Sequence, residues 1–138
     1  MPPGRFLTLL SDRGRGSPPV TDQRHGLHDH YDDSPTAITR RWAGADAAPA
    51  LIGHGPAGEV GLDLFRDGPH ALIAGTTGSG KSMLLQTWLL ALALENPPDR
   101  VTFVLIDFKG GATFAPLDAL PHTDSVLDDF DSAAAFRA

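Results

Sequence analysis

Eight consecutive residues, Gly75-Thr76-Thr77-Gly78-Ser79-Gly80-Lys81-Ser82, have the types and spacing of a phosphate-binding loop, G-x-x-x-x-G-K-[ST]. Gly75, Gly78 and Gly80 free the backbone for positive φ and for a close wrap around an anion. Successive N–H groups from about Gly78 to Ser82 then converge as a nest, and the start of a following helix adds the positive end of its dipole. In that arrangement Lys81 bridges β- and γ-phosphate oxygens, and the Ser82 hydroxyl is a Mg²⁺ ligand. The chemistry expected here is binding of ATP with Mg²⁺. The plainer alternative for the same residues is a Gly-rich turn ahead of a helix.

The flanking elements suit the first reading. A short apolar strand, His70-Ala71-Leu72-Ile73-Ala74, precedes the loop. A helix from about Lys81 to Glu95 follows it, apolar over most of its circumference and stopped by Asn96-Pro97-Pro98. A helix of that kind is expected to be buried within a larger body. A second apolar strand, Val101 to Ile106, ends at Asp107. Strand, helix and strand in this order predict a right-handed βαβ unit on a parallel sheet, hence an α/β fold of P-loop NTPase type with flanking helices. Upstream, Leu51-Ile52 and the alternating Val60, Leu62 and Leu64 predict two short strands joined through a turn at Gly53 to Gly58. Ser34-Pro35 reads as an N-cap followed by Pro at the first helical position, with Ile38 and Trp42 on one docking face.

Residues 1–33 contain Pro2, Pro3, Pro18, Pro19, four Gly and scattered charges without a sustained period, and are expected to be disordered. Residues 34–138 form the expected domain. The run His25, His28, His30, Tyr31, Asp32, Asp33 suggests a metal site, but His residues alone define no coordination geometry, and a solvated linker is the expected reading. The acidic residues Asp124, Asp128, Asp129 and Asp131 read as a solvated face rather than a cation site.

Composition narrows the function. With 138 residues the chain suits one domain, and the absence of Cys excludes disulfides and thiolate metal sites. The formal charge of −6 argues against coating nucleic acid by charge alone. It falls entirely within residues 51–138, where five basic residues face eleven acidic ones and no basic stripe interleaves with aromatics. The densest apolar run, Trp88 to Leu94, is far short of the roughly 20 residues of a membrane span. Phe6 to Leu10 is too short for a signal-peptide core, so a cytoplasmic location is expected, with any membrane association made through partners.

Asp107 closes an apolar strand, the loose description of a Mg²⁺-holding Walker B carboxylate. The residues after it, Phe108-Lys109-Gly110-Gly111-Ala112-Thr113-Phe114, are more specific. G-T-T-G-S-G-K-S at Gly75 to Ser82, a long Leu-rich helix and L-I-D-F-K-G-G-A-T-F at Leu105 to Phe114 together resemble the FtsK/SpoIIIE ATPases. The D-F-K-G-G form is most similar to the FtsK/SpoIIIE-like proteins of actinobacteria, including the type VII secretion ATPases called EccC or EssC. Pro121-His122, the helix around Ile38 to Trp42, the hairpin over Leu51 to Leu64 and the Gly68-Pro69-His70 lead-in fit the same pattern, over about residues 35–138.

The resemblance implies a RecA-like motor ATPase that works as a hexameric ring, translocating DNA or exporting protein. It also implies that the D-F-K strand is not the Walker B strand, which resembles L-V-D-E and comes much later in the family. Only 57 residues follow Lys81. The chain is therefore expected to be the first part of a larger domain that ends before the catalytic carboxylate, with little turnover of its own. Asp107 and Lys109 keep two readings, nucleotide-proximal groups at the end of a strand or turn-fixing and solvated side chains. The alternatives for the whole chain are a non-catalytic remnant that at most binds a nucleotide or partner, and a P-loop kinase, which the D-F-K-G-G segment disfavours.

Overall fold

The computed structural model describes residues 27–44, 49–64, 66–108 and 113–128. Its elements are α1 (Pro35–Trp42), β1 (Ala50–Gly55), β2 (Gly58–Leu62), α2 (Lys81–Glu95), β3 (Phe103–Asp107) and β4 (Thr123–Asp128), with 3₁₀ turns at Leu27–Asp29 and Ala115–Leu117.

Local signals set the helix starts and stops. Ser34 caps α1, its hydroxyl accepting the Ala37 N–H at 3.3 Å, and Pro35 sits where a helix has no use for an N–H. α2 runs from Lys81 to Glu95, as the sequence predicts, and ends at extended Asn96. The backbone and side-chain N–H groups of Asn96 both donate to Leu92 O at 3.0 Å. Helix ends leave their last carbonyls unsatisfied, and α1 supplies the other donors here. Trp42 Nε1 donates to Ala93 O at 3.0 Å, and Arg41 Nε donates to Leu94 O at 3.2 Å. Of the expected docking pair Ile38 and Trp42, Trp42 meets α2 as a polar cap, Ile38 is half-buried, and the buried residue of α1 is Ala37.

β1 and β2 form an antiparallel hairpin in which His54 faces Glu59 and Gly55 faces Gly58, with a register irregularity between Leu51 and Gly53. The connection is the two residues Pro56-Ala57, tighter than the turn expected over Gly53 to Gly58, and Leu64 lies beyond β2. The hairpin packs on α2 around Ala50, Trp88, Ala91 and Tyr31. A second cluster joins Ala93 to Phe103, Leu105, Phe114 and Leu117. α2 is the common wall of both, which explains its apolar circumference. Among the described residues its side chains are mostly half-buried and Met83 is exposed.

The sheet differs from the expected βαβ unit. His70–Ala74 has no ladder and forms no strand, and Leu72 is 86% exposed. The parallel pair is instead β3 with β4, registered from Phe103↔Thr123 to Asp107↔Asp128. β4 occupies a stretch for which no strand is expected, where Asp124 and Asp128 read as part of a solvated face. Its polar sequence hides a strand specified by partner rather than by composition. Residues 27–33, grouped by sequence with a disordered segment, are also ordered here, because Tyr31 is 6% exposed and its hydroxyl accepts the Leu51 N–H at 3.0 Å. Residues 1–26 lie outside the described residues. The mixed α/β class stands.

Candidate functional site

The glycine loop lies between the extended segment 70–74 and α2. Gly78 and Gly80 adopt φ of 77° and 87°, the left-handed region that glycine enters without steric cost. Gly80 is the N-cap of α2 and offers no side-chain acceptor to the helix. The first bond across the helix start is Leu84 N to Gly80 O at 2.9 Å. The N–H groups of Lys81, Ser82 and Met83 therefore have no acceptor inside the helix and point out of its N-terminus. A helix of 15 residues with bare N–H groups and no side-chain cap is a favourable place for an anion.

Two details differ from the expectation. Gly75 does not need positive φ. Its constraint is close approach, since a Cβ there would lie 2.6 Å from Ser79 Oγ. The Ser79 N–H is not one of the convergent donors, because it closes the loop on Thr76 O at 3.2 Å. The structure does bring Lys81 into the loop. Its Nζ donates to Thr76 O at 2.6 Å and to Ser79 Oγ at 3.5 Å, which holds the ammonium over the concave side of the turn. Thr76, Thr77, Gly78, Ser79, Gly80 and Ser82 are exposed and so accessible to a ligand. The residues fit a polyphosphate with its cation: glycine backbone, a cradle that a Cβ would fill at Gly75, one ammonium and one hydroxyl at the helix start.

Asp107 ends β3, and its carboxylate accepts the Thr113 N–H at 3.1 Å, bridging the turn that follows. Gln86 on α2 donates to Thr113 O from the other side, tying that turn to the helix after the loop. Lys109 lies outside the described residues. Asp124 is exposed on β4, while Asp129 and Asp131 fall outside them. An open apolar cavity of about 340 Å³ bounded by Leu62, Leu89, Val101 and Phe103 includes none of the loop residues.

The perturbed titrating groups are elsewhere. Burial holds the Tyr31 phenol above its usual range, opposed by the Leu51 N–H and reinforced by the Glu95 carboxylate. Hydrogen bonds from Ser34 hold exposed Asp32 below the usual carboxylate range. Sequence reasoning gave no such contact to Tyr31, Arg41, Gln86 or buried His122, whose Nε2 lies 2.7 Å from Asn96 O. Each acts on a residue more than ten positions away except Arg41's bond to Asp32 O, so no local pattern announces it.

The FtsK/SpoIIIE family model matches residues 40–138. An ESX secretion system protein EccC of Geobacillus thermodenitrificans is 36% identical over 107 residues, covering 73% of this chain and 7% of the relative. The ESX secretion system protein YukB of Bacillus subtilis is 39% identical over 105 residues, covering 72% and 7%. The solved cytoplasmic domain of the type VII secretion ATPase EccC from Thermomonospora curvata superposes with a TM-score of 0.61 at 35% identity, covering 72% of this chain and 13% of that one. The chain thus spans under a tenth of the length of these curated relatives. Among the described residues, no helix is long and apolar enough to cross a membrane.

Proposed function

The chain belongs to the FtsK/SpoIIIE family, and on that premise we propose that it binds ATP with Mg²⁺ at Gly75–Ser82 as the nucleotide-binding part of a motor ATPase. The observation that carries this reading is the pairing of left-handed Gly78 and Gly80 with an uncapped helix start and the inward-folded Lys81. The backbone N–H groups at the start of α2 would hold the β-phosphate. Lys81 would exchange its bond to Thr76 O for bonds to β- and γ-phosphate oxygens, and Ser82 Oγ would ligate the cation. Mg²⁺ held by Ser82 Oγ would supply neutralisation of the phosphate charge. Asp107, engaged with Thr113, would fix the turn after β3.

The role we propose within the family is protein export rather than DNA translocation. The curated relatives are ESX secretion proteins, and the acidic excess over residues 51–138 disfavours a polyanion as partner. Residues 34–138 would form one part of an ATPase domain on the cytoplasmic side, in a hexameric ring.

Titration of the purified chain with a fluorescent ATP analogue and Mg²⁺ tests the site. Charge-assisted hydrogen bonds are worth about 1.5–3 kcal/mol, so Lys81→Ala should weaken binding roughly 10- to 150-fold. Equal affinity in wild type and Lys81→Ala, with both folded by circular dichroism, would refute the assignment.

A further inference from the structure

A second cluster of ligand-type side chains lies on the hairpin, built by elements that the nucleotide loop does not use. His54 on β1 and Glu59 on β2 are directly opposed in the antiparallel register, so their side chains leave the same face at short range. The register irregularity at Leu51–Gly53 precedes His54, and such bulges re-aim the side chains that follow. His30 arrives from the other side. The 3₁₀ turn at Leu27–Asp29 is closed by His30 N–H and Tyr31 N–H on Leu27 O, at 3.0 and 2.8 Å. The bond between Tyr31 and Leu51 then pins the adjoining residue onto β1. His30 is held over the hairpin as a result, with only 10% of its side chain exposed.

The three groups converge. The His30 and His54 rings stack with centroids 4.5 Å apart and planes 29° apart. His30 Nδ1 lies 3.8 Å from Glu59 Oε1. One donor atom from each residue falls within 4.8 Å of the others. Metal–nitrogen and metal–oxygen bonds of about 2.0–2.2 Å in a tetrahedral site place neighbouring donors roughly 3.3–3.5 Å apart. Reaching that spacing requires rotation of His54 and Glu59, both of which are exposed.

We propose that His30, His54 and Glu59 form a binding site for a divalent transition metal, with Zn²⁺ as the type ion. Two imidazoles and a carboxylate are borderline ligands that suit Zn²⁺, whereas Mg²⁺ and Ca²⁺ favour all-oxygen sets. The fourth position faces solvent and takes water. The bound ion would clasp residue 30 to a hairpin 24 residues downstream, fastening the lead-in segment to the wall of α2. This site is independent of the nucleotide reading, because it shares no residue with Gly75–Ser82.

The test is titration of the full chain with Zn²⁺ against a chromophoric chelator, with absorption spectra of the Co²⁺-loaded protein as a second readout. The chain contains six His, so the variants must separate this site from the run at His25 and His28. Wild type should bind one equivalent, and Co²⁺ should give intense tetrahedral d–d bands. His30→Gln and His54→Gln should each weaken binding at least about tenfold, Glu59→Gln should weaken it less, and a His25→Gln/His28→Gln double variant should bind as wild type does. Retained affinity in folded His54→Gln, loss of binding in the His25/His28 variant, or no binding by wild type would each overturn the proposal. If His54→Gln fails to fold, ring ¹⁵N shifts of His30 and His54 in Zn²⁺-titrated wild type decide the matter, and their absence overturns it.

Discussion

Gly75 and Gly80 should fail for different reasons when each is given a methyl group, and one further substitution tells the reasons apart. Gly80 sits at φ 87°, and a Cβ built on it meets nothing within 4 Å. The cost of Gly80→Ala is therefore backbone conformation alone, about 1–2 kcal/mol, with no neighbour able to relieve it. At Gly75 the Cβ lies 2.6 Å from Ser79 Oγ but 3.4 Å from Ser79 Cβ and 3.5 Å from Lys81 Cγ. Only the hydroxyl is in conflict. Driving Ser79 off its rotamer costs about 0.5–1.5 kcal/mol, set against roughly 0.4–1 kcal/mol that Ala gains by stiffening the unfolded chain. Removing the hydroxyl with Ser79→Ala leaves ordinary van der Waals contacts, so Gly75→Ala in that background should be neutral or stabilising. A double-mutant cycle by urea unfolding, followed through the fluorescence of Trp42 and Trp88, measures this. The coupling between positions 75 and 79 should be about 0.5–1.5 kcal/mol and that between 80 and 79 within about 0.5 kcal/mol of zero. Equal destabilisation by Gly75→Ala with and without Ser79→Ala would refute the steric argument. Rescue of Gly80→Ala by Ser79→Ala would refute the conformational one.

Two further outcomes follow from the same geometry. Tyr31 is the chain's single tyrosine, so its ionisation can be read directly from near-UV phenolate absorbance. The folded midpoint should lie above the ordinary value of 10.0 and fall back towards it in denaturant. Since the folded state favours the neutral phenol, that contribution to stability is fully present below pH 10 and is lost as pH rises from there through the folded midpoint; a folded midpoint at or below the denatured one would contradict the burial argument. Asp107→Ala should destabilise the chain by about 1–3 kcal/mol through loss of the acceptor for Thr113 N–H. Asp107→Asn, which keeps an acceptor and removes the charge, should preserve both stability and nucleotide affinity. A large affinity loss in Asp107→Asn, measured by the same fluorescent titration, would assign the carboxylate to the cation instead.

What the sequence disclosed was whatever neighbours in sequence complete. Ser34-Pro35 and Asn96-Pro97 bound their helices because a cap bonds within three or four residues. The loop before α2 was legible because glycine, lysine and serine at fixed spacing meet a demand of local geometry. Elements defined by distant partners were not legible. β4 reads as polar, yet Val126 and Leu127 find register opposite Leu105 and Ile106. His70–Ala74 reads as a strand, but apolar composition makes no ladder. The histidine run was noticed, but the side chains that lie near His30, those of His54 and Glu59, come from a hairpin 24 and 29 residues later.

The same distinction bears on how the loop is held. On its C-terminal side Gly75–Ser82 continues directly into α2, whose Trp88 and Ala91 are locked against the hairpin and whose Ala93 packs against β3. On its N-terminal side it continues into residues 70–74, which share no ladder with any described strand and leave Leu72 in solvent. β3 shows a matching asymmetry: Phe103 and Leu105 face the core, while Val104 and Ile106 are 57% and 50% exposed. Parallel strands apolar on both faces are normally covered on both, and among the described residues this one is covered on one. The loop is thus anchored mainly from the helix, with half-buried Ile73 the packed residue of the 70–74 segment. Its left-handed glycines and the bond from Lys81 to Thr76 must supply from within the order that a flanking strand would otherwise impose. A phosphate drawing Lys81 away from Thr76 would remove one of those restraints and replace it with its own bonds to the start of α2.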